Sequence, residues 1–437
     1  MSVLERVRAH GPVPRDFETE ELAEQRRRLK RDLVEQLGLK AIAEGISNGS
    51  VDRMRTELEV ACRSILNMRG DGVLPEHHDL LVDQVLDEVC GLGPIQPLMD
   101  DEGVTEVMVN GPDALFFERD GRIEASTFAF DSEEQVMTVL DRILAPLGRR
   151  IDKGSPLVNA RLANGDRVNA VVPPVAPGGP AVTIRKFSGR ITSLDRLVEL
   201  GALPDWYARL LSCAVRCKQS IAVAGGTGSG KTTLLNALSC EIDHGERIVT
   251  IEDSCELRFE THPNVVALEA RDASIEGTGE VTIRELVKNA LRMRPDRIIV
   301  GEVRGEEAID MLNAMNTGHP GSLTTLHAGD AREAVSRLIL MARFGMNLPS
   351  ELIEEQISTA LDLIVMSCRL PDGGRRIGSM DEVHRTDQGR VALSTCVSFD
   401  SAADTWSLQR LPGFVETVRE LGLVDDGEVA SWRSLIH

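Results

Sequence analysis

The chain has 437 residues, too many for one ordinary core, so two or three domains are expected. Its 49 basic and 69 acidic residues leave a formal charge of −20, which disfavours a protein built to grip nucleic-acid backbones. Aromatics make up only 3%, with a single tyrosine, so base-stacking platforms are not expected either. The acidity serves solubility or attraction to a basic partner, and composition does not choose between the two.

Eight cysteines, at 62, 90, 213, 217, 240, 255, 368 and 396, are scattered without CxxC pairing. They read as reduced thiols of a cytoplasmic protein rather than as a disulfide framework or a zinc site. The first residues lack the apolar stretch of a signal peptide, and no apolar run approaches the roughly 20 residues of a spanning helix. Membrane association is therefore expected only through a partner.

In chain order, the first 15 or so residues are expected to be disordered. Helical patterns follow at about 17–39, 51–68 and 76–90, giving an N-terminal helical module over 1–90. The basic run 26–31 is a solvated helix face or a contact patch. The string GLGPI at 91–95 ends this pattern. Short strand-like segments come next, at 104–109, 115–119 and 122–130, with turn signals at Gly111-Pro112 and Asp120-Gly121. A helix at about 132–147 and further strands at 158–162, 167–172 and 181–186 complete an α+β domain over 91–187.

Residues 188–202 read as a flexible linker with one short helix. From 203 the pattern changes to buried strands alternating with helices: strand 221–224, helix 232–240, strand 247–252, helix 282–292, strand 297–300. Such alternation implies a parallel sheet flanked by helices, so the fold class is α/β, with this sheet domain spanning 203–388. Residues 389–437 read as a C-terminal extension of no assigned role.

Gly225, Gly226, Thr227, Gly228, Ser229, Gly230, Lys231 and Thr232 form GGTGSGKT, a P-loop pattern after a strand and at the start of a helix, with Thr233 next. Glycines let the backbone wrap phosphate oxygens, and the helix adds its positive end. Lys231 is suited to the β- and γ-phosphates, and the Thr232 hydroxyl to magnesium. Two further strand ends are acidic: Glu252-Asp253 after IVTI, and Glu302 after IIVG. Ligands of open α/β sheets sit beyond strand carboxyl ends, so both should face the P-loop and serve the metal and the attacking water. His319 and His327 are core histidines or γ-phosphate sensors.

GGTGSGKT, IEDSCEL at 251–257, RPDRIIVGEVRGE at 294–306 and TGHPGSLTTLHA at 317–328 resemble the Walker A, Asp, Walker B and His boxes of type II and type IV secretion ATPases, in family order. Within that superfamily the chain is most similar to the CpaF group, the Tad (Flp) pilus assembly ATPases. The helical module, GLGPIQPL at 91–98, EVMVNG at 106–111, GDRVNA at 165–170 and TIRKF at 183–187 carry this likeness, which covers about 20–385.

The resemblance implies a RecA-like P-loop ATPase domain, a homo-hexameric ring, ATP and Mg²⁺ as substrate and cofactor, and an inner-membrane platform protein as partner. It implies no nucleic-acid partner and a cytoplasmic protein held at the inner membrane through others. Glu302 becomes the Walker B glutamate that positions water. Glu252 shares metal or water work with Thr232 and Glu302, and His327, with His319, reports the γ-phosphate. Arg161, Arg167 and Arg185 are candidate arginine fingers from the same or a neighbouring chain, or else salt-bridge residues. Arg294 and Arg304 are candidates for signalling round a ring. The implied function is a motor driving pilus assembly, with retraction open. The alternatives are the ATPase of a type IV secretion channel, a non-hydrolytic nucleotide switch and, least favoured by charge, a nucleic-acid motor.

Overall fold

The computed structural model describes residues 20–38, 51–69, 73–119, 121–162, 164–186, 193–259, 261–271, 273 and 278–436. The first 15 residues, Asp120 and the start of the expected linker lie outside them. The chain divides into two compact units, Met1–Phe187 and Ser188–His437.

In the first unit, α1 (Glu20–Leu37), α2 (Val51–Arg69) and α3 (Pro75–Cys90) bury Leu33, Leu58, Cys62, Leu81 and Val85 against one another. A short helix α4 (Gln96–Asp100) leads into β1 (Val104–Asn110), β2 (Leu115–Arg119) and β3 (Arg122–Ala125). After α5 (Glu133–Leu144) come β4 (Leu157–Arg161), β5 (Arg167–Val171) and β6 (Ala181–Arg185). The sheet is antiparallel throughout, in the order β3-β2-β1-β6-β5-β4. Ser132 caps α5 by accepting from Gln135 N–H, and Val136, Val139, Leu140 and Ile143 are its buried face.

The helical module is not a separate body. Buried Arg26 pairs with Glu88 at 2.9 Å and Asp131 at 3.1 Å, and Arg142 donates to the carbonyls of Glu88 and Gly91 at 2.7 and 2.8 Å. A charge desolvated this far needs partners, and here they come from both sides of the expected boundary at 90/91.

The second unit contains α6 (Leu194–Glu199), α7 (Asp205–Arg216), β7 (Ile221–Gly225), α8 (Lys231–Ser239), β8 (Ile248–Glu252) and β9 (Val265–Glu269). Next come α9 (Ile283–Ala290), β10 (Arg297–Val300), α10 (Glu307–Asn316), β11 (Leu323–His327), α11 (Ala331–Gly345) and α12 (Ser350–Ala360). It ends with β12 (Leu363–Arg369), β13 (Arg375–Arg385), β14 (Val391–Asp400), β15 (Thr405–Leu408), α13 (Phe414–Glu420) and α14 (Asp426–Ser434). The sheet order is β15-β14-β13-β12-β7-β11-β10-β8-β9. From β12 to β9 every pairing is parallel, and β13, β14 and β15 extend the sheet antiparallel.

The period of two along buried strands separates the cores. Ile221, Val223, Ile299 and Leu323 face the side covered by α7 and α8; Ala222, Ala224, Ile298, Val300 and Leu326 face the side of α9–α12.

Two expected boundaries are corrected here. Leu194, Leu197 and Ala202 sit in the core of the second unit, so 193–202 is packed chain rather than flexible linker. Residues 389–437 are not an appendage. The 388/389 boundary falls in the turn of the β13–β14 hairpin, and Phe414, Val415, Val418, Val424 and Trp432 are buried in the same core. Arg209 of α7 pairs with Glu428 at 2.8 Å, tying α14 down. The sparse, ambiguous periodicity of this tail hid a role set by long-range pairing.

Candidate nucleotide site

Parallel strands place their carboxyl ends on one edge of a sheet, and this edge gathers most of the expected residues. Gly225 ends β7 opposite His327, which ends β11, and Glu252 ends β8. Val300, whose successors are Gly301 and Glu302, lies opposite Ile251.

The loop from Gly225 to Lys231 depends on its glycines. Gly228 and Gly230 have φ of +69° and +96°, left-handed values that a side chain disfavours. A Cβ on Gly225 would meet the Ser367 carbonyl oxygen at 2.3 Å and Ser229 Oγ at 2.6 Å. Helix α8 begins at Lys231 without a capping side chain. A backbone cradle running into a positively polarised helix end fits a polyphosphate. Lys231 is buried; its Nζ donates to the Gly226 carbonyl at 3.0 Å and lies 3.4 Å from His327 Nδ1.

His327 Nε2 lies 2.9 Å from Glu302 Oε1. Burial and then Lys231 push the His327 pKa below its usual value, with Arg304 and Arg337 adding to this and Glu302 opposing it. The imidazole is therefore neutral near pH 7. Lys231 Nζ is also 3.5 Å from His327 Nε2, so the ammonium lies beside both ring nitrogens while Nε2 faces Glu302 Oε1. Glu302 Oε2 accepts from Arg304 Nε at 2.7 Å and from Arg304 Nη2. Arg304 Nη1 also reaches Asp253 Oδ2 at 3.4 Å.

Glu252 is buried, and its Oε2 accepts from the N–H groups of Glu256 and Leu257 at 2.7 and 3.1 Å. It thereby fixes the turn that follows β8 while standing beside Gly301. Thr232, half-buried on the first turn of α8, and the carboxylates of Glu252 and Glu302 offer hard oxygen donors of the kind magnesium prefers. The donor chemistry and the cradle both fit a magnesium–nucleotide complex.

His319 is not brought to this edge. It precedes β11, and its Nδ1 contacts the Ala314 carbonyl at 3.0 Å, at the end of α10. Four residues of strand at about 3.3 Å each separate the two edges, so His319 lies more than ~13 Å away along β11. Arg294, at φ +53° just before β10, is also on the amino edge, whereas Arg304 is on the carboxyl edge.

The three candidate finger arginines belong to the first unit, where they stand in one cross-strand row. Arg161 is opposite Arg167, and Arg167 is opposite Arg185. Arg185 is in turn opposite Glu106, with Nε 3.5 Å from its carboxylate.

Ser367 and Arg375 were not singled out from the sequence. Ser367 Oγ donates to the Ser229 carbonyl at 2.6 Å, and Arg375 Nε donates to the Gly228 carbonyl at 3.0 Å. Both come from the β12–β13 hairpin, and no local pattern signals a contact made across 138 residues.

Residues 88–399 match the type II/IV secretion system protein family. The chain belongs to this family. Rv3659c of Mycobacterium tuberculosis, provisionally named as a conjugal transfer protein, is 38% identical over 314 residues, covering 70% of this chain and 88% of that one. The type IV secretion system protein PtlH of Bordetella pertussis is 37% identical over 321 residues, 67% of this chain and 94% of its own. Among solved structures, the VirB11 ATPase of the Brucella suis type IV secretion system, in complex with sulphate, is 34% identical over 66% of this chain and 91% of that one, with a TM-score of 0.36. A superposition that low carries no architectural argument; the fold of this secretion ATPase rests on its own strand order. Among the described residues, no helix is long and apolar enough to cross a membrane.

Proposed function

We propose that this secretion ATPase hydrolyses ATP as a ring-forming motor for a Tad (Flp) type pilus. The observation that carries the chemistry is the linked set Lys231–His327–Glu302–Arg304 on the carboxyl edge of the parallel sheet. The loop amides and Lys231 bind the phosphates. Thr232, with Glu252 and Glu302 in support, would hold magnesium, which when bound would supply charge neutralisation at the phosphate oxygens. Glu302 accepts the proton of the attacking water as the water oxygen bonds the γ-phosphorus and the bond to the departing ADP oxygen breaks. Neutral His327 senses the γ-phosphate between Lys231 and Glu302. The arginine row Arg161–Arg167–Arg185 supplies the cation that the developing charge requires, from the same or a neighbouring chain of a homo-hexamer.

Two carboxylates at the phosphate loop argue against a non-hydrolytic switch, which needs none to activate water. Turnover of the Lys231→Ala and Glu302→Gln proteins tests the assignment, and wild-type-like hydrolysis by either defeats it.

The choice of pilus rests on the likeness of the helical module, GLGPIQPL, EVMVNG, GDRVNA and TIRKF to the Tad pilus group; most of the helical module precedes the family match at 88–399. In this reading the protein is cytoplasmic and acts at the inner membrane through a platform protein, without nucleic acid. The names of PtlH and VirB11 favour the second reading, a type IV secretion channel. Introducing Lys231→Ala into the host separates the two: loss of sheared surface pilin supports the first reading. Intact pili with a lost secreted substrate support the second.

A further inference from the structure

Resting on the role given to Glu302, we propose that Arg304 is a positioning residue that withholds this carboxylate until Asp253 takes the arginine away. Oε2 of Glu302 is held by Arg304 Nε at 2.7 Å and by Nη2, whereas Oε1 lies 2.9 Å from His327 Nε2 without a hydrogen bond. Two N–H groups of one guanidinium cover Oε2, so the lone pairs that would take a proton from water on that side are filled until the arginine leaves.

The geometry points to Oε2 and to a receiver already in place. Arg304 Nη1 stands 3.4 Å from Asp253 Oδ2, so the guanidinium spans the two carboxylates and is closer to Glu302. Its backbone is pinned: the N–H groups of Arg304 and Gly305 donate to Glu307 Oε1 at 2.6 and 2.8 Å. Its side chain is 60% exposed and that of Asp253 45% exposed, while Glu302 is largely enclosed at 17%. A rotation about the side-chain torsions alone therefore moves the fork from Glu302 to Asp253, with no backbone change. Asp253 follows Glu252 directly, so the handover links the end of β8 to the loop after β10.

A rate that depends on the fraction of molecules with Oε2 released gives opposite signs for the two partners. Asp253→Asn removes the receiver and leaves Arg304 on Glu302; kcat falls about tenfold with KM for ATP little changed. Arg304→Ala removes the restraint, and basal kcat rises by about threefold. The double variant Asp253→Asn/Arg304→Ala behaves like Arg304→Ala, because without the arginine the receiver is irrelevant. A merely structural ion pair predicts instead that both single variants lose activity and that the double is no better.

The experiment measures steady-state ATP hydrolysis and melting temperature for the full chain, the two single variants, the double variant and Glu302→Gln. Recovery in the double variant supports the handover. Loss of kcat in Arg304→Ala with no recovery in the double, at unchanged melting temperature, overturns it. Arg304→Lys retains a cation but loses the two-nitrogen fork on Oε2, so it should lie above wild type and below Arg304→Ala; if Arg304→Ala melts early, this variant decides instead. Substantial turnover in Glu302→Gln would refute the role of Glu302 itself, whereas an inactive Glu302→Gln with no recovery refutes only the handover.

Discussion

The side chain of Glu252 occupies the space that a Cβ on residue 301 would need: its Cγ lies 2.8 Å from that position and its Cβ 3.4 Å. Gly301 is therefore small because the neighbouring strand's carboxylate crosses its backbone, and it is not among the residues with positive φ. Alanine at 301 should leave the backbone intact but displace Glu252 from the turn it holds. A displacement of this kind should cut kcat by about 10²-fold. Steady-state kinetics and a thermal melt check the split between lost turnover and retained fold.

His327 should titrate below the usual 6.5, because burial and then Lys231 disfavour its charged form. The sign follows from linkage. A base whose folded pKa is depressed contributes its stability above the unfolded pKa and loses it as pH falls through the folded one. NMR of the ring proton, without magnesium or nucleotide, should give a midpoint under 6.5. In Lys231→Met the midpoint should rise, since the nearest positive charge is gone.

On the opposite edge of the sheet, fully buried Arg297 donates to the carbonyls of Val215 and Gly321 and forks onto Glu246 at 2.8 and 2.9 Å. A Cβ at Gly321, whose φ is +77°, would fall 2.1 Å from the Arg297 guanidinium. Removing one partner of a buried pair leaves a stranded charge, so Glu246→Gln should cost about 3 kcal/mol, and Gly321→Ala at least as much. Urea unfolding measures both. Burial acts to raise the Glu246 pKa, but Arg297 and Lys218 outweigh it and hold the carboxyl below the usual range. Its stabilisation is thus present above the unfolded carboxylate pKa and fades as acid approaches the lower folded one.

Three arginines in adjacent register repel one another. Like charges directly opposite on a sheet destabilise by up to about 1 kcal/mol, so Arg167→Ala, the middle of the row, should melt slightly higher than the parent. If the row serves the γ-phosphate, the same variant should lose kcat by about 10³-fold. A protein that gains stability while losing turnover would mark the row as functional; unchanged turnover would leave it a surface feature.

Much of the second unit could be read in the residues alone. The GGTGSGKT loop, the largely apolar runs before Glu252 and Glu302 and the strand–helix alternation are local patterns. Local patterns suffice because phosphate binding uses consecutive backbone amides, and strands buried on both faces need continuous apolar residues. That much also placed Lys231, Glu252 and Glu302 on one edge, since parallel strands share a direction. What only the tertiary structure decided was pairing across long separations. It set His327 beside Glu302 and sent His319 to the far edge, although the two histidines lie only eight residues apart. It gave Arg304 to Glu302, latched Ser367 onto the phosphate loop and built residues 391–434 into the sheet and core. These choices depend on strand order and on which end of a strand a residue occupies, and neither leaves a trace in local composition or spacing.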